Sequence, residues 1–173
     1  MSTIRKYIPE FIYGSVDGTV TTFAVVAASV GAGLSTGVIL VLGIANLLAD
    51  GFSMGASSFL SAQSDESKSN VQKKPIPIGS ATFIAFLVAG LAPLLVYGYD
   101  AIRGNALEVN PGLFSASVIL TLFTFAGIGY VKARVEKSNI AYAILTTVGL
   151  GAIAALLAYF AGDWLGNLLG VNV

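Results

Sequence analysis

Residues 38–60 read Val-Ile-Leu-Val-Leu-Gly-Ile-Ala-Asn-Leu-Leu-Ala-Asp-Gly-Phe-Ser-Met-Gly-Ala-Ser-Ser-Phe-Leu, an apolar run interrupted by one charge, Asp50. A helix rises about 1.5 Å per residue, so about 20 mostly apolar residues cross the hydrocarbon core of a bilayer. Four further stretches meet the same condition, at 11–34, 78–99, 112–131 and 140–162. The expected fold is an all-α integral membrane protein with five transmembrane helices per protomer. Composition points the same way. Of 173 residues 55% are apolar and only 10% charged, with a mean hydropathy of +0.83. A soluble domain carries about a quarter charged residues. A water-soluble enzyme is excluded on that ground.

The breaks between spans carry helix punctuation. Ser35-Thr36-Gly37 separates the first pair, and Asn110-Pro111 sets Pro at a first helical position. Ser138-Asn139 offers N-caps for the last span. Pro93 lies inside the third span and predicts a kink, or backbone groups freed toward protein or water. The Ser/Lys/Gln/Asp-rich segment 62–77 is too short to fold alone and reads as a linker, ended by Pro75 and Pro77. The whole chain, 1–173, reads as one transmembrane domain. A cleaved signal peptide at 1–34 fits less well, because the apolar stretch is long and Asp17 interrupts it early.

The 9 basic and 9 acidic residues cancel, and the absence of a basic excess argues against nucleic acid. Their distribution is uneven. Arg5 and Lys6 precede the first span, Lys68, Lys73 and Lys74 follow the second, and Lys132, Arg134 and Lys137 follow the fourth. Only Arg103 falls on the other side. The positive-inside rule therefore places the N-terminus in the cytoplasm and the C-terminus outside or in a lumen.

Cysteine and histidine are absent, which removes disulfides, thiolate zinc sites, Cys nucleophiles and His bases. Any metal must be held by carboxylate, amide, hydroxyl, carbonyl or thioether groups. Asp17 and Asp50 lie well inside predicted spans, and a carboxylate there costs at least about 2.5–3.5 kcal/mol on insertion scales. Such groups usually face protein, water or an ion; a packing hydrogen bond between helices is the plain alternative. Asn46, Asp50 and Met54 recur at i, i+4 and i+8, and Ser57 and Ser61 continue the stripe. Counted from the cytoplasmic ends of their spans, Asp17 and Met54 each lie about 9 Å deep and Asp50 about 15 Å deep. The short connection makes the first two helices antiparallel neighbours. Gly18 and Gly51, each following an acid, permit close helix approach or local unwinding that exposes carbonyls. Thr19, Thr21, Thr22 and Ser53 add hydroxyls. Mixed oxygen and thioether ligands suit a first-row divalent ion such as Fe²⁺ or Mn²⁺ better than Mg²⁺ or Ca²⁺.

The run Tyr-Gly-Ser-Val-Asp-Gly-Thr-Val-Thr-Thr-Phe-Ala at 13–24 resembles the first-helix signature of the vacuolar iron transporter family. The run from Gly43 to Ser61 resembles its second helix, and 89–97 and 129–134 add weaker similarity. The resemblance implies a homodimer in a lipid bilayer with the ion pathway along its axis, exporting Fe²⁺, often with Mn²⁺ or related ions such as Co²⁺ or Zn²⁺, in exchange for protons. It implies that Asp17 and Met54 line the pathway. Asp50 and Asn46 join them as candidate metal ligands, with Ser53, Ser57 and Thr21 as pathway-lining residues. Two features depart from the family's plant members. Those carry Glu where this chain has Asn46 and lack the acid at Asp50. They also insert a Glu-rich cytoplasmic helical domain after the second helix, where this chain has only 62–77 with Asp65 and Glu66. No resident cofactor and no catalytic residue is expected. A prokaryotic plasma membrane is favoured, or a vacuolar membrane in a eukaryote. The competing readings are a membrane scaffold, a passive channel and an intramembrane aspartyl protease. The last lacks the Gly-x-Gly-Asp motif, since Leu48-Ala49 precede Asp50.

Overall fold

The computed structural model describes residues 7–66 and 74–170. Helix α1 spans Ile8–Gly31, α2 Thr36–Glu66, α3 Pro75–Gly90, α4 Leu95–Asp100, α5 Pro111–Glu136 and α6 Ile140–Leu169. No strand occurs among the described residues. A 3-10 turn at Ala92–Leu94 joins α3 to α4, and a π-helical turn at Ala101–Asn105 follows, so Pro75–Asn105 forms one interrupted span. Five helices are long and apolar enough to cross a membrane. Large apolar side chains such as Val41, Phe52, Phe123 and Leu157 are exposed around the outside. That arrangement suits lipid as the surrounding solvent.

The helices run past the expected boundaries. α1 begins at Ile8 rather than 11, α2 continues through the first part of the 62–77 linker, and α6 extends to Leu169. Apolarity marks the lipid-embedded length, while hydrogen bonding carries a helix beyond it. Arg5, Lys6, Lys68 and Lys73 lie outside the described residues. Among the described cations, Lys74, Lys132, Arg134 and Lys137 share one face and Arg103 sits on the other.

The caps are as expected. Asn110 Oδ1 accepts from Gly112 N at 3.2 Å and Asn139 Oδ1 from Tyr142 N at 3.1 Å. Pro93 breaks its span, and its carbonyl accepts a 2.8 Å hydrogen bond from the buried Ser117 hydroxyl of α5. The opened backbone therefore faces protein. At the far end, the first N–H groups of α2 are met by a neighbouring loop. Thr36 N donates to Glu108 O and Gly37 N to Ala106 O, while Thr36 Oγ1 donates to Asp100.

α1 is the centre of the bundle. It packs most extensively against α3 and α6, and more lightly against α2 and α5. Glycines make the close crossings possible: a Cβ on Gly18 would strike the backbone of Phe86, and one on Gly162 would strike that of Ala28. The first two helices do touch, but the expected side-by-side pairing is modified. α3 packs strongly on both of them and carries Phe86 into the space between.

Candidate metal centre

On α1 the buried residues Gly14, Ser15, Gly18, Thr19, Thr22, Phe23, Val26 and Ala27 occupy one broad face. Asp17, Val20, Thr21, Ala24 and Ala28 form the opposite stripe and are only half-buried. Gly162 of α6 closes this stripe at Ala28, so the less-covered side of α1 is its first part, and Asp17 lies there. Its helix is continuous there. Thr21 Oγ1 donates to the Asp17 carbonyl at 2.9 Å, so the hydroxyl proton is used within α1.

On α2 the inward face carries Thr36, Ile39, Gly43, Leu47, Gly51 and Met54. Asn46 and Asp50 lie on its flank, half-buried, while Ser53, Ser57 and Ser61 are exposed. The polar stripe thus runs along the edge of the packed face rather than into it. Asn46 Nδ2 is buried with no hydrogen-bond partner. An orphaned amide is costly in a low-dielectric setting. Met54 is 9% exposed and packs with Leu47 and Phe86 in an apolar cluster. Its sulfur therefore sits one turn from Asp50 but within the protein's own packing.

The helices carrying the two carboxylates both pack against α3. Phe86, 0% exposed, lies against Gly18 of α1 on one side and Gly51 of α2 on the other. A Cβ on Gly51 would sit 3.0 Å from the Phe86 ring. Each of these glycines follows an acid in sequence, and the two meet different parts of one residue: Gly18 the Phe86 backbone and Gly51 the Phe86 ring. Asp17 and Asp50 are close enough to interact electrostatically. The glycines serve close approach; neither helix is unwound. From the observed helix ends, Asp17 lies about 14 Å and Met54 about 18 Å along their helices, within a turn of each other.

Among the described residues no three acidic groups gather in one protomer. What the chain brings together is two carboxylates, an amide and a nearby thioether. These are donors fit for a divalent transition-metal ion, though too few carboxylates for a closed oxygen cage. Sequence reading passed over two residues. One is Phe86, whose position between the helices has no local signature. The other is Asp100, 6% exposed, which accepts from Thr36 Oγ1 at 3.3 Å and Asn105 Nδ2 at 3.0 Å. Its sequence signal is slight, a lone acid directly after the apolar run 78–99.

The sequence model of the VIT family matches residues 8–75 and 65–163. The chain belongs to the VIT family. The two matched pieces meet at the junction of α2 and α3, where the resemblance placed the plant members' additional domain. A protein of Tulipa gesneriana named vacuolar iron transporter 1 is 24% identical over 220 positions, covering 91% of this chain and 86% of the relative. A vacuolar iron transporter of Toxoplasma gondii is 40% identical over 73 residues, 42% of this chain. Vacuolar iron transporter 1 of Arabidopsis thaliana is 30% identical over 118 residues, 63% of this chain and 46% of the relative. The match to the Toxoplasma protein spans about a quarter of that relative's length (24%). VIT family membership and five apolar helices make this an integral membrane protein. The relatives' names point to a transporter and away from the protease reading.

Proposed function

We propose that this VIT-family chain is a divalent-metal exporter that moves Fe²⁺, and Mn²⁺ or related ions such as Co²⁺ and Zn²⁺, out of the cytosol in exchange for protons. The observation that carries the proposal is the placement of Asp17 and Asp50, both half-buried inside adjacent spans, within electrostatic range of each other. Two ionised carboxylates held together in a low-dielectric surrounding repel each other. A divalent cation neutralises the pair, and so do protons. The two occupants exclude each other, which is the physical requirement for exchange. Asn46 lies one turn from Asp50; its amide oxygen is the atom that would meet an ion, while its unpartnered Nδ2 is a donor fit for a carboxylate oxygen. Met54 supplies a soft ligand after a rotamer change releases it from Leu47 and Phe86.

The half-buried stripe through Asp17, Thr21 and Ala24 is narrow and small-sided, suited to a second copy of the chain. A homodimer closing over it would double the carboxylates and bury the pathway between protomers. Ser53 and Ser57, exposed in one protomer, would then line the route. The test is Fe²⁺ uptake into anaerobic proteoliposomes under an imposed pH gradient. Wild type should show gradient-dependent flux, and Asp17→Asn should reduce it to the empty-vesicle level. Full flux by Asp17→Asn would overturn the assigned site. Flux that ignores the gradient would replace exchange by a passive channel, and folded protein with no flux would favour the scaffold reading.

A further inference from the structure

At the membrane face where α1 begins and α5 ends, a cavity of about 320 Å³ lies between the two helices. Its apolar part is formed by Ile12, Val16 and Val135. Its rim carries Tyr13, Lys132 and Glu136. The metal pathway uses none of these residues. Lys132 and Glu136 are one helical turn apart on α5, with opposite charges, and no ion pair joins them among the described residues. Lys132 is half-buried, Glu136 exposed. The neighbouring cation Arg134 is turned away, its guanidinium 5.7 Å from the Tyr130 ring.

We infer that this cavity is a binding site for a phospholipid whose headgroup carries both a phosphodiester and a primary ammonium. The level is right, because the first turns of α1 and the last turn of α5 lie where a bilayer changes from hydrocarbon to headgroup. Lys132 donates to the phosphate oxygens and Glu136 accepts from the ammonium. The upper part of one acyl chain lies along Ile12, Val16 and Val135. Side chains four apart on a helix are about 5–6 Å from each other, a spacing comparable to the two-carbon bridge between phosphate and ammonium. Charge complementarity selects among lipids. An anionic headgroup without an amine would set its negative charge beside an unmatched Glu136. A choline headgroup offers Glu136 no N–H donor.

The test is native mass spectrometry of full-length protein extracted from mixed bilayers of phosphatidylethanolamine, phosphatidylglycerol and phosphatidylcholine. Wild type should retain phosphatidylethanolamine with about a tenfold preference, the effect expected of one charge-assisted hydrogen bond. Glu136→Gln should erase that preference while lipid is still retained, and Lys132→Gln should lower retention of all three. Both changes are at the rim of the cavity, where substitution leaves the fold intact. A wild type without headgroup preference, or a Glu136→Gln variant that keeps it, would overturn the assignment. So would efficient disulfide crosslinking of Val135→Cys between two copies, which would make the α5 side of the groove a protein interface.

Discussion

Phe86 touches both helices that carry the intramembrane acids, and it is fully enclosed. Removing a ring from such a position leaves a cavity and costs about 3–5 kcal/mol in soluble cores. Phe86→Ala is expected to lower thermal stability in detergent by an amount of that order and to reduce metal flux, because the ring is the spacer between α3 and the Gly51–Met54 stretch of α2 beside Asp50, while its backbone contact with Gly18 stays. Phe86→Leu should keep most of both. Equal flux in Phe86→Ala and wild type would show that the spacer is dispensable. The acids themselves were legible in the sequence, since a carboxylate inside an apolar run is conspicuous. Phe86 was not legible, because one aromatic residue among many apolar neighbours at 83–88 gives no sign of which helix it meets. Met54 was legible as a candidate ligand, but its packing with Leu47 and Phe86 became visible only once α3 was in place.

At the level of elements, local chemistry predicted well where the determinant was local. Asn110 and Asn139 cap α5 and α6, and Pro93 breaks its span into α3, a 3-10 turn and α4. The helix ends were less legible, because hydrogen bonding continues past the edge of the apolar run. Partner choice was least legible. A short connection suggested that α1 and α2 are antiparallel neighbours, and they do touch; that the glycines at 18, 51, 55 and 79 let α3 approach both more closely was not legible. The Pro93 break also has a tertiary support that sequence could not supply, the Ser117 hydroxyl on the Pro93 carbonyl at 2.8 Å. Ser117→Ala would leave that buried carbonyl without its side-chain donor, and the expected loss is about 1–3 kcal/mol. Thermal unfolding in detergent reads it directly. An unchanged transition would mean that the carbonyl finds another donor.

Over the whole molecule, charge and burial are both asymmetric. Lys74, Lys132, Arg134 and Lys137 gather on the face where α1 starts, while Arg103, Asp100, Glu108 and Asp163 lie toward the other. Burial leaves the first part of α1 less covered on one side, and Asp17 sits there. The five-span architecture follows from hydropathy alone. The less-covered side does not, because it depends on how four helices distribute around the first. Co²⁺ or Mn²⁺ binding to the purified protein, measured by calorimetry for wild type, Asp17→Asn, Asp50→Asn and the double variant, addresses the shared site most directly. If the two carboxylates hold one ion together, either single change should weaken binding by about a hundredfold or more, the scale of one lost charged ligand. The double variant should then be little worse than either single one, since partners in one site are strongly non-additive. Independent losses that simply add, or wild-type affinity in Asp50→Asn, would contradict a site built from both.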